Sequence, residues 1–94
     1  MIIRPEAEAD LASARDWYER QRGGLGDAFM MAVEEAFERI QRTPESYALV
    51  HRDVRRAFTR RFPYFVYYRI QGGEVTVMGL FHSGRAPYQW QSRD

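Results

Sequence analysis

Apolar positions recur every three or four residues in the first half of this chain and every two in the second. Ala7, Leu11, Ala14 and Tyr18 make one stripe at helical spacing, with Trp17 beside it. This helix is expected to start at Pro5, whose missing N–H is no loss in a first turn. Glu6, Glu8 and Asp10 follow, where acids complement the positive end of the helix dipole. Gly23 and Gly24 close it. Leu25, Phe29, Val33, Ala36, Phe37 and Ile40 make a second stripe over residues 25–42, and Glu34, Glu35, Glu38 and Arg39 fill much of the other side. Thr43 and Pro44 stop that helix, because a proline disfavours helical geometry in the residue before it. Two helices joined by so short a turn should pack as an antiparallel hairpin.

From Val54 the period becomes two. Residues 54–60 read as a weak strand, with Val54, Arg56, Phe58 and Arg60 on one face and Arg55, Ala57 and Thr59 on the other. Phe62 and Pro63 make a turn or bulge. Tyr64, Val66, Tyr68 and Ile70 then alternate with Phe65, Tyr67 and Arg69, an aromatic and β-branched composition that favours a strand. Gly72 and Gly73 form a hairpin turn. Residues 74–82 make the last strand, with Val75, Val77, Gly79 and Phe81 expected on one face and Met78, Leu80 and His82 on the other. Both faces are largely apolar, so this strand should be central. Residues 2–4, closed by Pro5, suit an edge strand. A polar tail from Ser83 is anchored by Tyr88 and Trp90, with Trp90 covering an apolar groove. The expected fold is α+β, in the order β-α-α-β-β-β, with a helical hairpin on one face of a mostly antiparallel sheet. The other face is expected to stay partly open and to gather the arginines. Residues 1–94 read as one domain.

Composition sharpens this picture in three ways. There is no Cys, which excludes disulfides, thiolate metal sites and a cysteine nucleophile. No apolar run approaches the roughly 20 residues of a membrane span, and MIIRPEAEAD lacks the form of a signal peptide. A cytoplasmic protein with no membrane partner is therefore expected. The net charge of +1 conceals a split. Residues 1–47 hold ten acids against six Arg, net −4, and residues 48–94 hold eight Arg against three acids, net +5. Every cation is Arg, whose planar fork binds phosphate or carboxylate bidentately.

Arg55, Arg56, Arg60 and Arg61 form the densest basic cluster. Such a cluster either guards an edge strand against aggregation or meets an anion, whether nucleic-acid phosphate or the acids of a protein partner. His82 and Arg85 follow the last strand. Histidine can act as acid or base near neutral pH, and arginine can stabilise charge developing on a phosphoryl group. The alternative is structural: His82 bonds the tail and Arg85 pairs with a helix acid such as Glu38. Tyr64, Tyr67, Tyr68 and Tyr88 offer rings for base stacking, but packing explains most of them better. His51 stands in a loop without a partner in sequence. No metal-ligand spacing and no glycine-rich phosphate loop is present, so no cofactor is expected.

The FPYFVYYRI strand, the VTVMGLFHSGR strand and the closing RAPYQW, after a Pro-led helix with Trp17 and Tyr18 and the segment FERIQRTPE, resemble the RelE/ParE superfamily. These are small toxins of type II toxin–antitoxin modules, often labelled plasmid stabilisation proteins. The resemblance spans nearly the whole chain and implies two alternatives. RelE-like members are ribosome-dependent mRNA endoribonucleases. On that side Arg60 or Arg61 would hold phosphate, Arg85 would stabilise the transition state, and Tyr88 would contact a base or the attacking hydroxyl. His82 would stand near a basic position of that subgroup. ParE-like members share the His-x-x-Arg-x-Pro ending and poison DNA gyrase without chemistry of their own. The lack of any Lys and a pI near 8.1 favour the ParE-like side. A non-toxic domain of the same fold is a third alternative. The resemblance also implies a cognate acidic antitoxin, and a homodimer or toxin–antitoxin hetero-oligomer.

Overall fold

The computed structural model describes residues 1–84. Strand β1 (Ile2–Ile3) leads into helix α1 (Pro5–Gln21) and helix α2 (Leu25–Arg42). A short 3-10 turn, Pro44–Ser46, precedes β2 (Leu49–His51), β3 (Val54–Phe58), β4 (Tyr64–Gln71) and β5 (Glu74–His82). The strands lie in the order β1-β5-β4-β3-β2. Only β1 runs parallel to its neighbour; the other three pairings are antiparallel. The expected β-α-α-β-β-β order therefore holds, with one addition: β2, three residues long, pairs with β3 and places His51 at the end of a strand rather than in a loop. Strand β3 ends at Phe58, two residues sooner than its alternation suggested. There Thr59 turns its hydroxyl onto the Phe62 carbonyl at 2.5 Å and its N–H onto the Tyr64 carbonyl at 2.9 Å, closing a tight loop.

The helical hairpin is held by polar contacts at its turn and apolar ones along its length. Gly24 takes a left-handed φ of 89° at the start of α2. The Glu19 carboxylate of α1 accepts the N–H groups of Gly24 and Gly26, each at 3.0 Å. Those donors would otherwise be orphans of the first turn of α2, so one helix caps the next. Along the hairpin, Ala7, Leu11 and Ala14 meet Phe29, Val33, Ala36 and Ile40, all buried against the sheet. Tyr18, Phe29, Phe62 and Tyr64 interlock edge-on or stacked, with Tyr18 and Phe62 centroids 4.9 Å apart. Tyr68, fully buried, donates its hydroxyl to the Pro44 carbonyl at 2.6 Å and so pins the chain leaving α2 to the sheet.

Strand β5 departs from simple alternation. Tyr67 pairs with Gly79 and Tyr68 with Val77, so Met78 has no opposite residue. This extra residue inverts the faces beyond it. Val75, Val77 and Leu80 pack on the helical side, whereas Met78 and Phe81 join Val54 and Tyr67 on the far side. The expected grouping of Phe81 with Val75 and Val77, and of Leu80 with Met78, is thus overturned. The far face is also not the open basic surface that was expected. Its centre, Val54, Tyr67, Met78 and Phe81, is 9% exposed or less.

Two outcomes follow from this architecture. A Cβ on Gly26 would lie 2.9 Å from the Arg15 carbonyl oxygen, a backbone atom that cannot swing away. Gly26→Ala should therefore destabilise the domain by about 1–3 kcal/mol in urea denaturation, despite alanine's better helix propensity. Burial raises the Tyr68 phenol to about 12, against the opposing pull of Arg55. The unfolded phenol ionises near its ordinary value of about 10. The stability Tyr68 contributes is whole below pH 10 and is lost as pH rises towards 12. Tyr68→Phe should cost about 1–2 kcal/mol at neutral pH and should flatten the loss of stability between pH 10 and about 12.

Candidate functional site

The bulge decides what lines the cleft between α1 and β5. With faces inverted after Met78, Leu80 and His82 turn towards α1. There they form one wall of a groove of 620 Å³, together with Tyr64. The opposite wall is a face of α1: Asp10, Ser13, Ala14, Trp17, Tyr18 and Arg20. Trp17 is 51% exposed and stands edge-on to Tyr18 at 5.1 Å. The Asp10 carboxylate accepts the Leu80 N–H at 3.0 Å, tying helix to strand at the floor of the groove. His82 is part-buried. Its Nδ1 accepts the Gly84 N–H at 2.9 Å, and its ring meets Tyr64 edge-on at 5.3 Å.

The four arginines lie close in sequence but reach different partners. Alternation along β3 sends Arg55 and Arg56 to opposite faces. Arg55 donates to the carbonyls of Glu45 and Tyr47, at 3.0 and 2.6 Å, and holds the turn before β2 in place. Arg56 lies over the Phe65 ring at 4.1 Å, a cation–π contact on the far face. Phe65 also meets Phe58, which is 46% exposed, so Arg56, Phe58 and Phe65 make a mixed basic and aromatic rim. Arg60 reaches towards Glu35 of α2 at 3.7 Å, where Arg39 already bonds that carboxylate at 2.6 Å. Arg39 also donates to the Phe58 carbonyl at 2.9 Å. The Arg39–Glu35 hydrogen bond is the main reason the Glu35 carboxyl is held below its ordinary range, with Arg60 and Arg42 adding to it and burial opposing it. Arg61 takes a left-handed φ of 72° and sits over Phe62 at 5.4 Å.

The other residues singled out by the sequence divide in the same way. Tyr67 and Tyr68 are core residues, and Tyr64 is a half-buried member of the aromatic cluster. Arg85, Tyr88 and Trp90 lie outside the described residues. Among the described residues no group of three His, Asp or Glu side chains is placed to hold a metal ion, and no helix is long and apolar enough to cross a membrane. The groove wall on α1 was not foreseen. Its signal was Trp17, which stands off the buried stripe of its own helix. Asp10 was assigned only a dipole role, because its contact partner lies 70 residues away.

The comparisons with known proteins agree with this architecture. A solved structure titled "Chromosomal ParDE TA system from P. aeruginosa" has the same fold, with a TM-score of 0.76 and 20% sequence identity. The match covers 87% of this chain and 95% of that one. No protein of curated function matches the sequence. The profile of a family described as "ParE toxin of type II toxin-antitoxin system, parDE" matches residues 1–87. The chain belongs to the ParE toxin family of type II toxin–antitoxin systems.

Proposed function

We propose that this ParE-family toxin acts in the cytoplasm by binding DNA gyrase, without chemistry of its own, and is neutralised by a cognate acidic antitoxin. The carrying observation is the dispersal of the basic groups. Arg55 is committed to two carbonyls, Arg56 to an aromatic ring, Arg60 to a carboxylate and Arg61 to the edge of the core. A phosphoryl-transfer site needs such donors to converge on one point. His82 faces α1, away from the Arg56 rim, and its Nδ1 is occupied. What remains on the surface suits protein recognition. Arg56, Phe58 and Arg60 combine planar cations with an exposed ring, the residue types enriched at the centres of interfaces.

Purified protein should inhibit gyrase supercoiling at near-stoichiometric amounts. Arg56→Glu and Arg60→Glu should weaken that inhibition while the circular dichroism spectrum of the fold is retained. Arg55→Ala should lower the thermal midpoint, since it removes two charged hydrogen bonds of about 1.5–3 kcal/mol each at most. Growth arrest in cells with no effect on gyrase overturns the gyrase reading. The ribonuclease alternative then makes its own demand: cleavage of ribosome-bound mRNA, abolished by His82→Ala, Arg85→Ala or Tyr88→Phe. Normal growth on induction leaves only a non-toxic domain of the same fold.

A further inference from the structure

Helix α2 reaches the end of β3 through one pair of side chains. Thr59 gives its N–H to the Tyr64 carbonyl of β4, so its neighbour Phe58 turns its own backbone groups the other way, towards the outer edge. Arg56, two residues earlier, faces that edge too, and its N–H meets the Ala48 carbonyl just before β2. The Phe58 carbonyl lies further along the same edge and accepts instead from the Arg39 guanidinium of α2, at 2.9 Å. Arg39 is itself aimed by Glu35, one turn back on α2, whose carboxylate accepts its Nε–H at 2.6 Å. The same oxygen of Glu35 stands 3.7 Å from the Arg60 guanidinium. One carboxylate thus bears on the backbone at Phe58 and on the side chain of Arg60, on either side of Thr59.

We propose that Glu35 is a positioning residue for target recognition: through Arg39 and Arg60 it sets where Phe58 and Arg60 stand on the surface. The inference rests on the target-binding reading above. Phe58 meets the Phe65 ring edge-on at 4.9 Å, and Arg56 lies over that same ring at 4.1 Å, so a shift of the Phe58 backbone disturbs all three. Arg60 is 72% exposed. A long exposed guanidinium loses rotamer freedom when it binds, and a carboxylate that holds it in place beforehand lowers that cost. A purely structural role accounts less well for Glu35. Its second carboxylate oxygen is buried and meets no donor among the described residues, which costs stability. An apolar pair of similar volume often serves a fold as well as a sheltered ion pair, or better. Such a pair cannot fix a carbonyl and a guanidinium at the same time.

The test compares three variants of the full chain with the wild type in gyrase supercoiling assays. Glu35→Ala removes the acceptor and should raise the concentration for half-inhibition about tenfold or more. Glu35→Gln keeps an oxygen for Arg39 and should bring inhibition back to within about threefold of wild type. Glu35→Leu combined with Arg39→Met removes both sheltered charges together. That double variant should keep its circular dichroism spectrum and a thermal midpoint within a few degrees of wild type, yet inhibit about tenfold less well or worse. A folded double variant that inhibits fully overturns the positioning role and leaves the gyrase reading standing. Should the double variant not fold, Glu35→Ala inhibiting as well as Glu35→Gln overturns it instead. A wild type that arrests growth without touching gyrase overturns the gyrase reading, and growth arrest at matched soluble levels then makes the same comparison. Arrest lost with Glu35→Ala and kept with Glu35→Gln upholds the positioning role, and arrest kept in all variants overturns it. A wild type that neither inhibits gyrase nor arrests growth overturns both.

Discussion

Strand β5 must be buried on both faces, and the rest of the molecule is arranged around that requirement. On one side it carries Val75, Val77 and Leu80 against the helical hairpin. On the other it carries Met78 and Phe81 against Val54 and Tyr67. A strictly alternating strand would send Leu80 and Met78 to the same face. The unpaired residue at Met78 resolves this by shifting the register with β4 by one. That one residue also decides the functional geography. It places His82 and Leu80 beside α1, where they line a groove, and Phe81 on the opposite face.

Polar contacts then fix how the layers meet. Glu19 ties the start of α2 to the end of α1, Asp10 ties α1 to β5, and Tyr68 ties the exit of α2 to β4. Each spends a side-chain group on a backbone group that the secondary structure leaves unpaired, which is where such bonds matter most. The same economy explains why the arginines reach separate partners. In a chain of 94 residues the core is small. Arg55 and Arg39 are therefore drawn into holding carbonyls at strand ends, and Arg56 and Arg61 into covering aromatic rings. What remains exposed is a rim of Arg56, Phe58 and Phe65 on one side of the sheet and an aromatic-walled groove on the other.

The change from a period of about 3.6 to a period of two was sufficient to separate the helical layer from the sheet. The caps and breakers were as informative as the stripes. Pro5, Gly24, Pro44 and the Gly72 and Gly73 turn mark ends of elements because their backbone requirements are local. The family resemblance was legible for the same reason, since it rests on runs of residues in order. Strand β2 was not legible. Three residues are too few to show alternation, and they become a strand only by pairing with β3.

The sequence by itself determined the class of fold, the two helices, the central β hairpin and the family, because each depends on spacing within a short window. Only the tertiary structure decided which face of β5 each residue takes, since a register shift is a property of two strands and leaves no mark on one. It alone separated Arg55 from Arg56, Arg60 and Arg61, because neighbours in a strand point to opposite faces and their partners come from other elements. It alone brought Asp10 to Leu80 and Trp17 to the neighbourhood of His82, across some 65 to 70 residues of chain. Contacts at that separation are set by how the layers pack, and no local pattern encodes them.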